Sequence, residues 1–62
     1  MNHTAEAFEH ADKAVHHWRL ILAGSLSPRQ RHEARIELIR AVGQRVRARI
    51  ALAQEQAEQI AA

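Results

Sequence analysis

The stretch Ala23-Gly24-Ser25-Leu26-Ser27-Pro28-Arg29-Gln30 separates two apolar runs, and its reading decides the fold. Ser27 can accept a hydrogen bond from the backbone of Gln30, and the Gln30 side chain can reach back to Ser27, a capping box. Pro28 then falls at the first helical position, where its missing N–H is harmless. Gly24 suits the end of a preceding helix, because it enters the left-handed region without a Cβ penalty. A helix is therefore expected over about residues 4–23, with Thr4 as its N-cap, and a second over about 28–60.

On either side of this turn, apolar residues recur in alternating steps of three and four. The first run is Phe8, Ala11, Val15, Trp18 and Leu22. The second is Ile36, Ile39, Gly43, Val46, Ile50, Ala53, Ala57 and Ile60. This is the spacing of helices that pack side by side. The short connection leaves only antiparallel neighbours. An all-α antiparallel two-helix hairpin follows, one domain over residues 1–62. Pairing the beats sets Leu22 against His32, Trp18 against Ile36, Val15 against Ile39, Ala11 against Gly43 and Phe8 against Val46. The expected hairpin core is Phe8, Val15, Trp18, Leu22, Ile36, Ile39 and Val46. Gly43 against Ala11 reads as a close approach of two backbones.

The second helix outruns the first in this register, so Ile50, Ala53, Ala57 and Ile60 continue the seam with nothing to cover them. Ala7, Ala14 and Ile21 on one helix and Leu38 and Val42 on the other add a second apolar line beside it. A stripe this wide exceeds what one helix partner buries. The expected partner interface is Ile50, Ala53, Ala57, Ile60, Leu38 and Val42. A second copy would complete a four-helix bundle, and a different helical protein is the alternative.

Sixty-two residues form a small core that rarely contributes more than about 3–5 kcal/mol. The chain has no cysteine, which removes disulfides and thiolate zinc sites and suits a cytoplasmic protein. No run approaches the roughly 20 apolar residues of a membrane span, and the N-terminal residues lack the layout of a secretory signal. The formal charge is +2, but seven of the nine basic residues are arginines between Arg29 and Arg49, opposed there only by Glu33 and Glu37. Arg40, Arg45, Arg47 and Arg49 are the candidates for contact with nucleic acid. Pairing across the hairpin, for example of Asp12 with Arg40, is the structural alternative. Membrane-surface binding is disfavoured because the arginines do not gather on one face.

Catalytic chemistry has little to stand on. Ser25, Ser27 and Thr4 read as turn or cap residues. No glycine-rich phosphate loop or carboxylate cleft is present, and two helices are not expected to enclose a ligand-sized pocket. His3, His10 and His17 stand seven residues apart, about 10.5 Å along a helix, so no two of them share a metal. Glu6/His10 and Asp12/His16 have chelating spacing but read more simply as a solvated helix face. His32 falls on the expected seam, where burial would make the hairpin acid-sensitive. No cofactor, metal or small-molecule substrate is expected.

In length and topology the chain resembles the plasmid copy-number regulators that dimerise as short helical hairpins and grip an RNA pair. Leu20 to Leu22, Gly24 and Pro28-Arg29-Gln30 also look like the small hairpin co-chaperones of type III secretion needles. There a leucine-rich first helix, a glycine and proline turn and a longer second helix recur. The first resemblance implies an RNA partner and the second a helical protein. The residues themselves favour a non-enzymatic interaction module, such as an adaptor, chaperone-like subunit or regulator. A nucleic-acid-binding regulator is the second reading.

Overall fold

The computed structural model describes residues 3–61. Two helices, α1 (His3–Ala23) and α2 (Pro28–Ala61), pack against each other, and no strand occurs among the described residues. The hairpin is a rod of 52 × 15 × 14 Å, the long dimension being that of α2. Trp18 and Ile21 share a hollow with Ala34 and Glu37 near the turn, and Phe8 and Asp12 share another with Arg45 and Val46 farther out. The helices therefore run antiparallel.

The turn forms as its residues dictate. The Ser27 backbone N–H donates to Gln30 Oε1 at 3.0 Å, and the Gln30 N–H donates to Ser27 Oγ at 3.2 Å. The first backbone bond of α2 runs from Arg31 N to Ser27 O at 2.9 Å. Two of the amide donors orphaned at a helix start are thus satisfied reciprocally. The exit from α1 differs from expectation. No described residue, Gly24 included, has a positive φ. Gly24 N instead donates to Ile21 O at 3.1 Å, a tight three-residue closure that needs no left-handed residue. At the far end, Thr4 lies inside α1 rather than capping it.

The buried face of α1 follows the expected beat. Ala11 and Val15 are buried, and Phe8, Trp18 and Leu22 are half-buried on the same line. The face that α2 turns inward is different. Its buried residues are Ala34 and Ala41, with Leu38, Arg45, Ala48 and Leu52 half-buried between and beyond them. These residues keep the same three-four beat, displaced by two positions from Ile36, Ile39, Gly43, Val46 and Ile50. Two residues turn a helix by about 200°, so the expected seam points away from α1. Ile36, Ile39 and Val46 do not close the hairpin core: they are 38%, 71% and 51% exposed. His32 is likewise exposed, which removes the premise for an acid-sensitive buried histidine. Leu38, assigned to a partner interface, belongs instead to the inward line.

The reason is steric. The inward face of α1 already carries Phe8, Val15, Trp18 and Leu22. Alanines at seven-residue intervals on α2 let the rods approach closely and receive those bulky side chains. A facing row of isoleucines would hold the rods apart or force strained rotamers. Gly43 has no part in this approach. A Cβ built there would meet only the Arg47 guanidinium, at 3.7 and 3.9 Å, and nothing from α1.

Two substitutions test this face assignment. Ala41→Leu overfills the seam and is expected to cost about 1–3 kcal/mol, whereas Ile39→Ala changes stability by no more than about 0.5 kcal/mol; urea unfolding followed by circular dichroism compares them. Gly43→Ala meets no obstruction and removes a helix-interior glycine. It should stabilise the hairpin by about 1 kcal/mol, read as a rise in Tm of about 4–8 °C; a fall would restore the close-approach reading.

Candidate partner-docking face

The outward face of α2 is the most unusual surface of the molecule. Ile39, Val46, Ile50 and Ile60 are each more than half exposed, and Ile36 is 38% exposed. All five stand on one heptad line, with Gly43, Ala53 and Ala57 in the gaps. The line spans about 36 Å at 1.5 Å per residue. Isolated exposed aliphatics are ordinary on a protein surface, but a continuous row is not. Of the residues assigned to a partner interface, Ile50, Ala53, Ala57 and Ile60 are exposed on this line, and Val42 is half-buried beside it. Leu20, 75% exposed, is a separate aliphatic on α1.

The arginines do not form one free basic patch. Arg45 turns inward, and its Nη1 donates to Asp12 Oδ1 at 3.2 Å. This ion pair joins the helices in place of the expected Asp12–Arg40 pair, and Arg45 is only 27% exposed in its side chain. Arg45 is the residue that occupies the beat between Ala41 and Ala48, so its stem packs in the seam while its head reaches Asp12. Arg40 pairs with Glu37 one turn away at 3.0 Å, and Arg29 pairs with Glu33 at 3.3 Å. Arg47 lies over the gap at Gly43. Arg49 borders a hollow of about 350 Å³ with Phe8, Asp12, Arg45 and Val46. Among the described residues, Arg19, Arg31, Arg35, Arg47 and Arg49 make no ion pair.

Near the turn an open hollow of about 510 Å³ lies between the helices. Trp18, Ile21, Leu26 and Ala34 give it apolar walls, and Gln30, Glu33 and Glu37 border it. Leu26, unassigned in the sequence reading, lines this hollow from the turn. Trp18 meets the ring of His17 edge-on at 5.1 Å.

The histidines lie on exposed faces. His16 Nε2 is 3.6 Å from Asp12 Oδ2, the expected spacing, and His3 Nδ1 is 3.8 Å from Glu6 Oε2. No group of three or more histidine, aspartate or glutamate side chains is placed to hold a metal ion among the described residues. Lys13 pairs with Glu9 at 3.2 Å. Glu55, on the inward beat of α2, has an Oε2 shielded from solvent with no hydrogen-bond partner among the described residues. No described helix is long and apolar enough to cross a membrane.

Comparison with family models, with curated proteins and with solved structures returns no match.

The Asp12–Arg45 pair should act as a register device more than a source of stability. Both groups are partly exposed, so screening holds the pair to below about 1 kcal/mol. A double-mutant cycle with Asp12→Asn and Arg45→Gln should give a coupling of about 0.5 kcal/mol that shrinks in 1 M salt. A coupling that is zero at low salt would remove the pair from the account of register.

Proposed function

We propose that this chain is a non-enzymatic helical interaction module, an adaptor, chaperone-like or regulatory subunit, that docks another helix along the outer face of α2. The observation that supports this reading is the line Ile36, Ile39, Val46, Ile50 and Ile60, which keeps the heptad spacing of a helix–helix seam while α1 leaves it largely uncovered, only Val46 bordering a hollow with Phe8.

Two magnitudes favour a partner. The accessible surface is 5008 Å², whereas a compact monomer of 7.0 kDa would expose about 4,000 Å². The excess, about 1,000 Å², matches the roughly 800 Å² that one side of a standard interface covers. Scaled by their exposure, the five aliphatics would contribute roughly 5–9 kcal/mol in sum on full burial, more than the about 3–5 kcal/mol that a core of this size supplies. A four-helix bundle of two hairpins is one way to achieve the burial, and a single docked helix is another. The nucleic-acid reading has less support, since Arg45 is committed to Asp12 and Arg40 to Glu37.

The test uses a fluorescently labelled three-heptad peptide with leucine on its seam and glutamine on its flanks, held at nanomolar concentration. Its anisotropy should rise on titration with the purified chain, or the chain itself should sediment as more than one copy. The double substitution Ile39→Asp/Ile50→Asp should abolish either behaviour while leaving the helical signal in place. A wild-type chain that stays single and leaves the peptide free defeats the reading.

A further inference from the structure

We infer that the helix received by the outer face of α2 is acidic along its flanks and belongs to a different protein, not to a second copy of this chain; this rests on the docking reading above. The flanks of the aliphatic line carry the choice. Helical spacing places Arg35 and Arg49 along one side of it and Arg40 and Arg47 along the other. Arg40 has Glu37 as a partner, whereas Arg35, Arg47 and Arg49 have no described carboxylate within ion-pair reach. A cationic border on both sides of an apolar seam selects opposite charge on the helix that fills it.

A second copy supplies the wrong charge. In a parallel pairing of two α2 helices, Arg35 of one stands beside Arg40 of the other. In the antiparallel pairing that overlaps the aliphatic line fully, Arg47 meets Arg47 and Arg49 meets Arg49 across the dyad. Sliding one helix by a heptad in one direction relieves this, but it sets Val46 and Ile50 on Ala57 and Ala53 and leaves Ile36 and Ile39 uncovered. Sliding the other way sets Arg40 against Arg47. Each homotypic register either repels at its border or forfeits its largest side chains. A helix with glutamates beside its seam meets all four arginines without either cost.

The relief of the face favours a helix over a bilayer or a nucleic acid. Gly43, Ala53 and Ala57 alternate with the bulky aliphatics, leaving gaps that knobs from a facing helix can enter. Arginines close to both edges keep the apolar strip narrow, whereas an interfacial membrane helix presents a broad apolar face with bulky or aromatic residues. Phosphates need cations, not an aliphatic row between them.

The deciding experiment compares three labelled peptides of the same length and leucine seam, with glutamate, glutamine or lysine on the flanks. It adds vesicles containing anionic phosphatidylserine as a separate arm. The glutamate peptide should bind at least about tenfold more tightly than the lysine peptide and should weaken as salt rises. Replacing Arg35, Arg47 and Arg49 by glutamate should reverse the preference, and replacing them by glutamine should erase it, with the helical signal retained. If the glutamate peptide binds no better than the glutamine one, the acidic partner is wrong and the docking reading stands. If no peptide binds and the chain stays single, both fall. Dimerisation through the α2 face that excludes the glutamate peptide, or vesicle binding lost in Ile39→Asp/Ile50→Asp without peptide binding, also overturns the assignment.

Discussion

A helix has one circumference, and α2 carries two complete seams on it. Everything else in the structure depends on which of them turns inward. The inward seam is built from Ala34, Ala41 and Ala48 interleaved with Leu38, Arg45 and Leu52, all buried or half-buried. Its small side chains accept the larger ones of α1, so packing density comes from complementarity of size and not from bulk on both sides. The choice has an energetic consequence. Alanine removes little apolar area from water, so most of the aliphatic surface of α2 stays outside the hairpin.

The turn and one ion pair then set where along their length the helices meet. The Ser27–Gln30 box starts α2 at Pro28, and the connection is too short to allow a different antiparallel neighbour. Asp12 reaches Arg45 across the interface and His16 along its own helix, so it stands at the centre of the polar contacts between the rods. Asp12 stands nine positions along α1 from His3, and the same distance beyond Arg45 brings α2 to Gln54. Beyond Glu55 every described residue of α2 is exposed, Ile60 at 87%.

The hairpin, the turn chemistry and the inward face of α1 were legible in the sequence, because each rests on a local signal. Ser27, Pro28 and Gln30 act within one turn of helix, and Phe8, Val15, Trp18 and Leu22 have no rival line of equal bulk. The inward face of α2 was not legible from hydrophobicity. Two lines with the same period differ only in phase, and ranking them by bulk selects Ile36, Ile39, Val46 and Ile50. What decides between them is the volume already filled by the opposite helix, a property of the pair. The alanines at 34, 41 and 48 were the available signal, and ranking by bulk passes over them. The error propagated: a seam two residues out of phase placed His32 and Gly43 against α1, paired Asp12 with the wrong arginine and sent Leu38 outward. Gly24 was misread for a separate reason, since a tight i to i−3 closure ends a helix without a left-handed residue.

The same phase relation links folding to recognition. Had the isoleucines turned inward, the hairpin would have kept its apolar surface to itself and presented alanine to solvent. With the alanines inside, the fold retains only a modest share of the driving force that its sequence contains. A ligand that binds the folded hairpin and not the unfolded chain stabilises it by RT ln(1 + [L]/Kd), about 2.7 kcal/mol at a hundredfold excess over Kd. That is a large addition for a domain of this size. Arginine on both borders of the outer row then restricts which ligand can supply it. A hydrophobic row alone would accept any amphipathic helix, the chain's own included, and like charge along its edges makes self-pairing the poorer option. Charge at the borders of an apolar row also opposes its non-specific association. On the docking reading proposed above, charge on the outer face and alanine on the inner one act on a single equilibrium, in which the hairpin is completed by what it binds.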